Sequence, residues 1–254
     1  MTKPTRTAKP TGSAADFIPP RPTLTKLRAA AKGCQGCDLF KVGTQTVFGE
    51  GPSRARVMVV GEQPGDMEDK AGHPFVGPSG KLLDRAFDAA GIDRDEVYVT
   101  NAVKHFKWAR EARTKRRIHK TPNAGEIRAC FPWLQHEIAL VKPDVIVCLG
   151  ATAAKALLGR TFSVMKSRGT PIETEWAPAA FATVHPSAVL RAPRDQRAVA
   201  EQLFMADIRK VGGFLARGAA AAKRSDVRSR KFAGWPTIAP RSATSSGSTR
   251  FSRA

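Results

Sequence analysis

Four short apolar runs, at residues 57–60, 97–100, 145–149 and 181–184, constrain the fold of this chain more than any other feature. They are rich in Val and Ile and lack the polar–apolar alternation of a half-exposed strand, so they read as parallel strands buried on both faces. Parallel strands need crossover connections, and helical patterns stand between them. Ser79 can cap a helix with the apolar face Leu82, Leu83, Ala86, Phe87 and Ala90, stopped by Gly91. Thr121-Pro122 can open a second, which repeats at Ile127, Phe131, Leu134, Ile138 and Val141. A third covers 151–158, and a last runs through Val199, Leu203, Ile208, Val211 and Leu215. This alternation predicts an α/β fold, a doubly wound three-layer sandwich around a mainly parallel four-stranded sheet.

In such folds ligands bind beyond the carboxyl ends of the strands. The first strand runs into the segment 61–66 (Gly-Glu-Gln-Pro-Gly-Asp), the second into Asn101, and the fourth into His185-Pro186-Ser187. A carboxylate, an amide and an imidazole therefore converge on one edge. A nucleotide-binding loop is excluded at 77–82, because Phe75 stands where its first Gly belongs and Leu82 where Ser or Thr must follow the Lys. That segment can still offer helix N-terminal amides to a phosphate.

Charge points to the partner. The net charge is +20. Residues 1–30 hold six Lys or Arg against Asp16, and residues 217–254 hold nine against Asp226, ending in a Ser/Thr/Gly run at 242–249. Neither stretch has the apolar content to fold alone, so both are expected to be disordered basic tails flanking a domain at 31–216. The domain is itself basic, which favours a polyanion such as nucleic acid. The N-terminus has no apolar signal region, and no stretch approaches the roughly 18 apolar residues of a membrane span, so a cytoplasmic protein is expected. In that reducing compartment Cys34, Cys37, Cys130 and Cys148 point to metal or redox chemistry rather than disulfides.

Taken together and in order, CxxC (34–37), GEQPG (61–65), GHPFVGPSGKLLD (72–84), TNAVKHF (100–106), KRRIHKTP (115–122), CLGATAAKALLG (148–159) and HPSAVLR (185–191) resemble the uracil-DNA glycosylase superfamily. The likeness is to its iron-sulfur family 4 branch and, within that, the UdgX subgroup. It runs from about residue 31 to 215. The resemblance implies that Phe75 stacks on an extruded uracil, that Asn101, with Gln63 and Asp66, reads it, and that His185 stabilises charge on the departing oxygen. The roles suit the chemistry: a flipped base needs an aromatic face and a fixed amide, and a leaving group needs a donor. Ser187, Leu190 and Arg191 would meet the DNA, Leu190 as a wedge and Arg191 at a phosphate.

Two departures from ordinary family 4 enzymes matter. Gln63 stands where those enzymes usually have Ala, and residues 108–120 form an added basic loop ending in KRRIH. In UdgX the loop histidine attacks the sugar and stays covalently attached to DNA, which implies His119 as nucleophile, Glu62 as the group orienting it, and Lys115, Arg116 and Arg117 as phosphate contacts. Bond cleavage leaves an electron-poor C1′, and a neutral imidazole held beside it outcompetes water by proximity. The implied partner is uracil-containing DNA, single strands preferred, bound by a monomer. Two further readings are open: a conventional iron-sulfur glycosylase that turns over, and a non-catalytic DNA-binding module stabilised by zinc.

The resemblance also implies a 4Fe-4S cluster. A family 4 ligand cysteine follows the strand-two Asn by four residues, where this chain has His105, and imidazole can replace thiolate at iron. The expected ligands are Cys34, Cys37, His105 and Cys130, with Cys148 as the alternative fourth. Cys148 lies in an apolar strand, where an inert buried thiol is the plain reading.

Overall fold

The structure, a computed structural model, describes residues 12–232, and side chains as far as residue 218. Its centre is a four-stranded, all-parallel sheet of β1 (Val57–Gly61), β2 (Val97–Asn101), β5 (Val145–Leu149) and β6 (Ala179–Thr183), in the order β2-β1-β5-β6. Every residue of the four strands is buried. One face packs on α3 (Pro78–Ala90) and α8 (Arg194–Phe232), through Leu82, Leu83, Phe87, Phe204 and Ile208. The other packs on α4 (Ala124–Val141) and α5 (Gly150–Leu158), through Leu134, Ile138, Ala153 and Leu157. This is the expected sandwich. Its last strand starts two residues earlier than the sequence suggests, because Ala179 and Ala180 carry no β-branched signal yet fit the tightly covered sheet.

The helix starts also differ. Gly77, not Ser79, caps α3, with Pro78 at its first position. Asn123, rather than Thr121, caps α4, its side chain accepting from Glu126 N while Glu126 returns a bond to Asn123 N. Shorter helices complete the outline: α1 (Leu24–Ala31), α2 (Asp66–Ala71), α6 (Val164–Ser167) and α7 (Pro186–Leu190).

The expected N-terminal tail is in part folded. A 3-10 turn at Ala14–Phe17 and helix α1, capped by Thr23, bury Ala14, Leu27 and Ala31 beside Cys34, Cys37 and Trp133. Average composition missed this because a few apolar residues suffice when α4 supplies the opposite face. Residues 1–11 lie outside the described residues. At the other end the chain divides after Ala216 into two units. The second, expected to be disordered, is helical as far as Phe232, and 233–254 fall outside the described residues.

The basic loop is likewise ordered, as an antiparallel hairpin of β3 (Trp108–Arg110) and β4 (Arg117–His119) that pairs Trp108 with His119 and Arg110 with Arg117. Lys115 takes a left-handed φ of 56° in its turn.

Candidate active site

The carboxyl ends of all four parallel strands open on one cavity of about 620 Å³. Glu62, Gln63, Asp66, Phe75, Asn101, Arg117, His119, His185, Ser187 and Arg191 all line it. The two faces of the site are built differently.

The floor belongs to the sheet. Asn101 ends β2 and is buried. Gly61 ends β1, and a Cβ there would collide with Asn101 Oδ1 and meet the Phe75 ring at 2.8 Å, so the amide and the ring can both stand over this strand end only because it is glycine. Phe75 itself holds a left-handed φ of 57°, an unfavourable conformation for an aromatic residue. Its carbonyl lies where a Cβ on Gly80 would fall, so this backbone is wedged against the start of α3. The Phe75 and His185 rings face one another, 6.3 Å apart and 25° from parallel.

His185 caps α7, and its Nδ1 accepts from Ser187 N at 3.2 Å. An amide can only donate, so Nδ1 is unprotonated and the ring hydrogen sits on Nε2. Burial lowers the His185 pKa to about 4 against the opposing pull of Glu62, which keeps the ring a neutral donor.

Behind the floor lies a buried ion pair that sequence reasoning missed. Lys104 Nζ is 2.5 Å from Glu137 Oε2, and it also donates to Asn101 O at 2.8 Å and Thr100 Oγ1 at 2.6 Å. Glu137 accepts in turn from Tyr98, Thr100 and Gly49 N. Only the fourth-residue spacing from Thr100 to Lys104 hinted at it; Glu137 lies on a different element.

The other face is the hairpin, and its anchors engage three of the residues expected to meet base or phosphate. The Gln63 amide engages backbone: its Oε1 accepts from Lys107 N at 3.0 Å, while Nε2 donates to Lys107 O and Lys120 O at 3.2 Å. It thus ties down both ends of the hairpin. Arg117 is not a free phosphate contact, because its guanidinium bonds Asp66 and, at 2.7 Å, buried Asp69, and it packs over Phe106 and Trp108. Asp66 is correspondingly committed to Arg117 and Lys70; burial would raise its pKa, but those two cations hold it below the usual carboxylate range. Trp108 Nε1 donates to Val42 O at 2.7 Å, and Lys107 pairs with Glu126 at 2.9 Å. Lys115 and Arg116 remain exposed at the turn. Leu190 is half-buried against the core, so only an edge of the expected wedge is available.

These anchors put His119 at the cavity wall, its Nε2 3.2 Å from Glu62 Oε1. The second oxygen of Glu62 accepts from Thr152, a residue the sequence did not single out. Burial would raise the Glu62 pKa, but hydrogen bonds from His119 and Thr152 hold it below its ordinary value.

Three cysteines gather elsewhere. Cys34, Cys37 and Cys130 share one buried cluster with Trp133, whose Nε1 donates to Cys34 Sγ at 3.3 Å, and Lys104 N donates to Cys130 Sγ at 3.2 Å. Burial raises the thiol of Cys37 and pushes that of Cys130 up to about 12. His105 is also buried, kept neutral by a pKa lowered to about 4, with Nε2 3.3 Å from Thr46 Oγ1. Cys148 sits apart on β5, in the core under α4 and α5. Among the described residues no three His, Cys, Asp or Glu side chains are close enough to hold a single metal ion.

A parallel α/β sandwich with a polar cavity at its strand ends defines a class of ligand-binding and catalytic proteins. The particular family follows from comparison. The family model described as the uracil DNA glycosylase superfamily matches residues 48–209, and the chain belongs to that superfamily. It is 38% identical to a type-4 uracil-DNA glycosylase of Pyrobaculum aerophilum, over 67% of this chain and 86% of the relative. With a type-4 uracil-DNA glycosylase of Thermotoga maritima it shares 37% identity, over 72% and 90%. The crystal structure of wild-type Pedobacter heparinus SMUG2 aligns with a TM-score of 0.42 and 12% identity, covering 63% of this chain and 77% of that one.

Proposed function

We propose that the cavity takes a uracil extruded from DNA, that the protein cleaves its N-glycosidic bond, and that His119 captures the resulting sugar. The observation that carries this reading is the pairing of His119 with Glu62 on the wall of the cavity lined by Phe75, Asn101 and His185. Phe75 replaces the stacking lost on flipping, and the Asn101 amide bonds the Watson–Crick edge of the base. As the C1′–N1 bond breaks, its electron pair leaves with uracil, and His185 Nε2–H donates to the oxygen where that charge collects. A ring nitrogen of His119 then forms a bond to C1′. Glu62 accepts the proton on the other nitrogen, which balances the charge gained by the imidazole. Lys115, Arg116 and Arg191, with Ser187, would hold the backbone of the strand, single-stranded DNA preferred.

Cys34, Cys37, His105 and Cys130 would hold a 4Fe-4S cluster, supported by three thiols in one buried cluster, each tied to neighbouring backbone or indole donors or raised by burial, and by a buried, neutral imidazole four residues after Asn101. Cys148 does not fit, since it lies in a different cluster. Such a group would supply a rigid cross-link, since His105 and Cys130 bracket the segment that includes the hairpin. A brown protein with broad visible absorption that survives Cys148→Ala but not His105→Ala would support the assignment; the reverse outcome would overturn it.

The functional test is a denaturing gel. Incubation with uracil-containing single-stranded DNA is expected to give a heat- and SDS-resistant band of reduced mobility. Release of uracil without that band would instead indicate a conventional glycosylase that turns over.

A further inference from the structure

We propose that Thr152 is a positioning residue for Glu62 and, through it, for His119, so that the three form one line at the cavity wall. The inference rests on the reading of His119 as nucleophile. Thr152 is the third residue of α5, directly after the strand β5. A threonine hydroxyl near a helix start can bond back to a carbonyl three or four residues before it. That of Thr152 crosses instead to Glu62 Oε2, ninety residues away in sequence.

The consequence is geometric. A glutamate has three rotatable bonds, and a single contact with His119 would leave the carboxylate plane free to swing. With Oε2 fixed from α5 and Oε1 facing His119 Nε2 at 3.2 Å, the plane is set by two rigid elements rather than by the hairpin alone. Glu62 also lies close to the start of α5, where the helix dipole favours negative charge. The ionisable groups acting on it are His119 from β4 and His185 from the start of α7. Capture needs Glu62 ionised as well as His119 neutral, so loss of the Glu62 carboxylate at low pH contributes to its acid limb. The Thr152 hydroxyl is one of the bonds holding the Glu62 pKa down, and removing it moves the acid limb to higher pH.

The experiment compares Thr152→Val and Thr152→Ser with the wild type in single-turnover formation of the SDS-resistant adduct across pH. Melting temperature and cluster absorption are recorded for each protein. Thr152→Val is expected to slow capture about tenfold, the effect of one hydrogen bond to a charged group, and to shift the acid limb upward. Thr152→Ser should restore both. If the valine variant does not fold, Thr152→Ala carries the same expectation. Unchanged rate and pH profile in the valine or alanine variant would overturn the proposal. So would a serine variant as slow as valine, since the methyl group rather than the hydroxyl would then matter. Absence of adduct in the wild type would overturn both the nucleophile reading and the line built on it.

Discussion

The floor of the cavity and its hairpin wall present side chains to the same space but are held by opposite means. Phe75, Asn101 and His185 stand at or beside the ends of strands buried on both faces, and their positions follow from apolar packing of the sheet between two helical layers. The hairpin has strands of only three residues, and an isolated two-stranded ribbon of that size is marginal in water. It is held by polar anchors: Gln63 at its base, Arg117 on Asp66 and Asp69, Trp108 on Val42, and Lys107 on Glu126. The difference teaches that one fold can keep the floor of a pocket fixed while the group presented to it is changed on a small, separately fastened element. A side chain held by a few hydrogen bonds is also more easily retuned than one built into a core.

Breaking the hairpin's chemistry should have the largest effect. His119→Ser is expected to abolish the covalent adduct and to admit water, so that uracil is released with turnover; a denaturing gel and a uracil-release assay read the two outcomes together. A variant that neither cross-links nor releases uracil would make His119 structural.

The floor should answer next, through stability. Glu137→Ala leaves the Lys104 ammonium buried without its partner, and is expected to cost about 3–5 kcal/mol of unfolding free energy, measured by denaturant titration. A loss below about 1 kcal/mol would mean that the floor does not depend on this pair.

Gln63→Ala tests the hairpin's fastening with His119 intact. Loss of its hydrogen bonds to Lys107 and Lys120 should slow capture about tenfold and speed amide exchange in 108–119, with little change in exchange of the central strands. Equal acceleration in both regions would show that hairpin and floor open as one unit.

The smallest effect is a pH dependence of the floor. The folded pKa of His185, about 4, lies below the ordinary 6.5, so between these values the unfolded chain binds a proton that the folded chain does not. Stability therefore falls as pH falls through this window, by about 1 kcal/mol between pH 7 and 5.5. The difference between wild type and His185→Asn in denaturant titrations at those two pH values isolates this contribution. A difference that does not change with pH would contradict it.

Most of the fold was legible in the sequence because its signals are local. Runs of β-branched residues mark strands buried on both faces, a repeat near 3.6 marks the helices, and residues just after the strands must lie at one edge of a parallel sheet. That logic alone located Glu62, Asn101 and His185. The helix caps shifted by two residues because Ser79 and Thr121 are as acceptable locally as the residues that fill the role, and only the path of the chain chooses between them.

Tertiary structure decided which polar groups meet. Gln63 bonds residues 44 and 57 positions away, Arg117 reaches Asp69 across 48, and Thr152 reaches Glu62 across 90. Nothing in local periodicity encodes such partners, so the sequence, which pointed to Gln63, Asp66 and Arg117 as contacts to base or phosphate, could not show that they also fasten the hairpin. By itself the sequence determined the sheet, its two covering layers and the edge where chemistry gathers, because apolar burial follows patterns written along the chain. The folded molecule decided how His119 is held over that edge, because a hydrogen bond depends on two groups arriving at the same point from distant parts of the sequence.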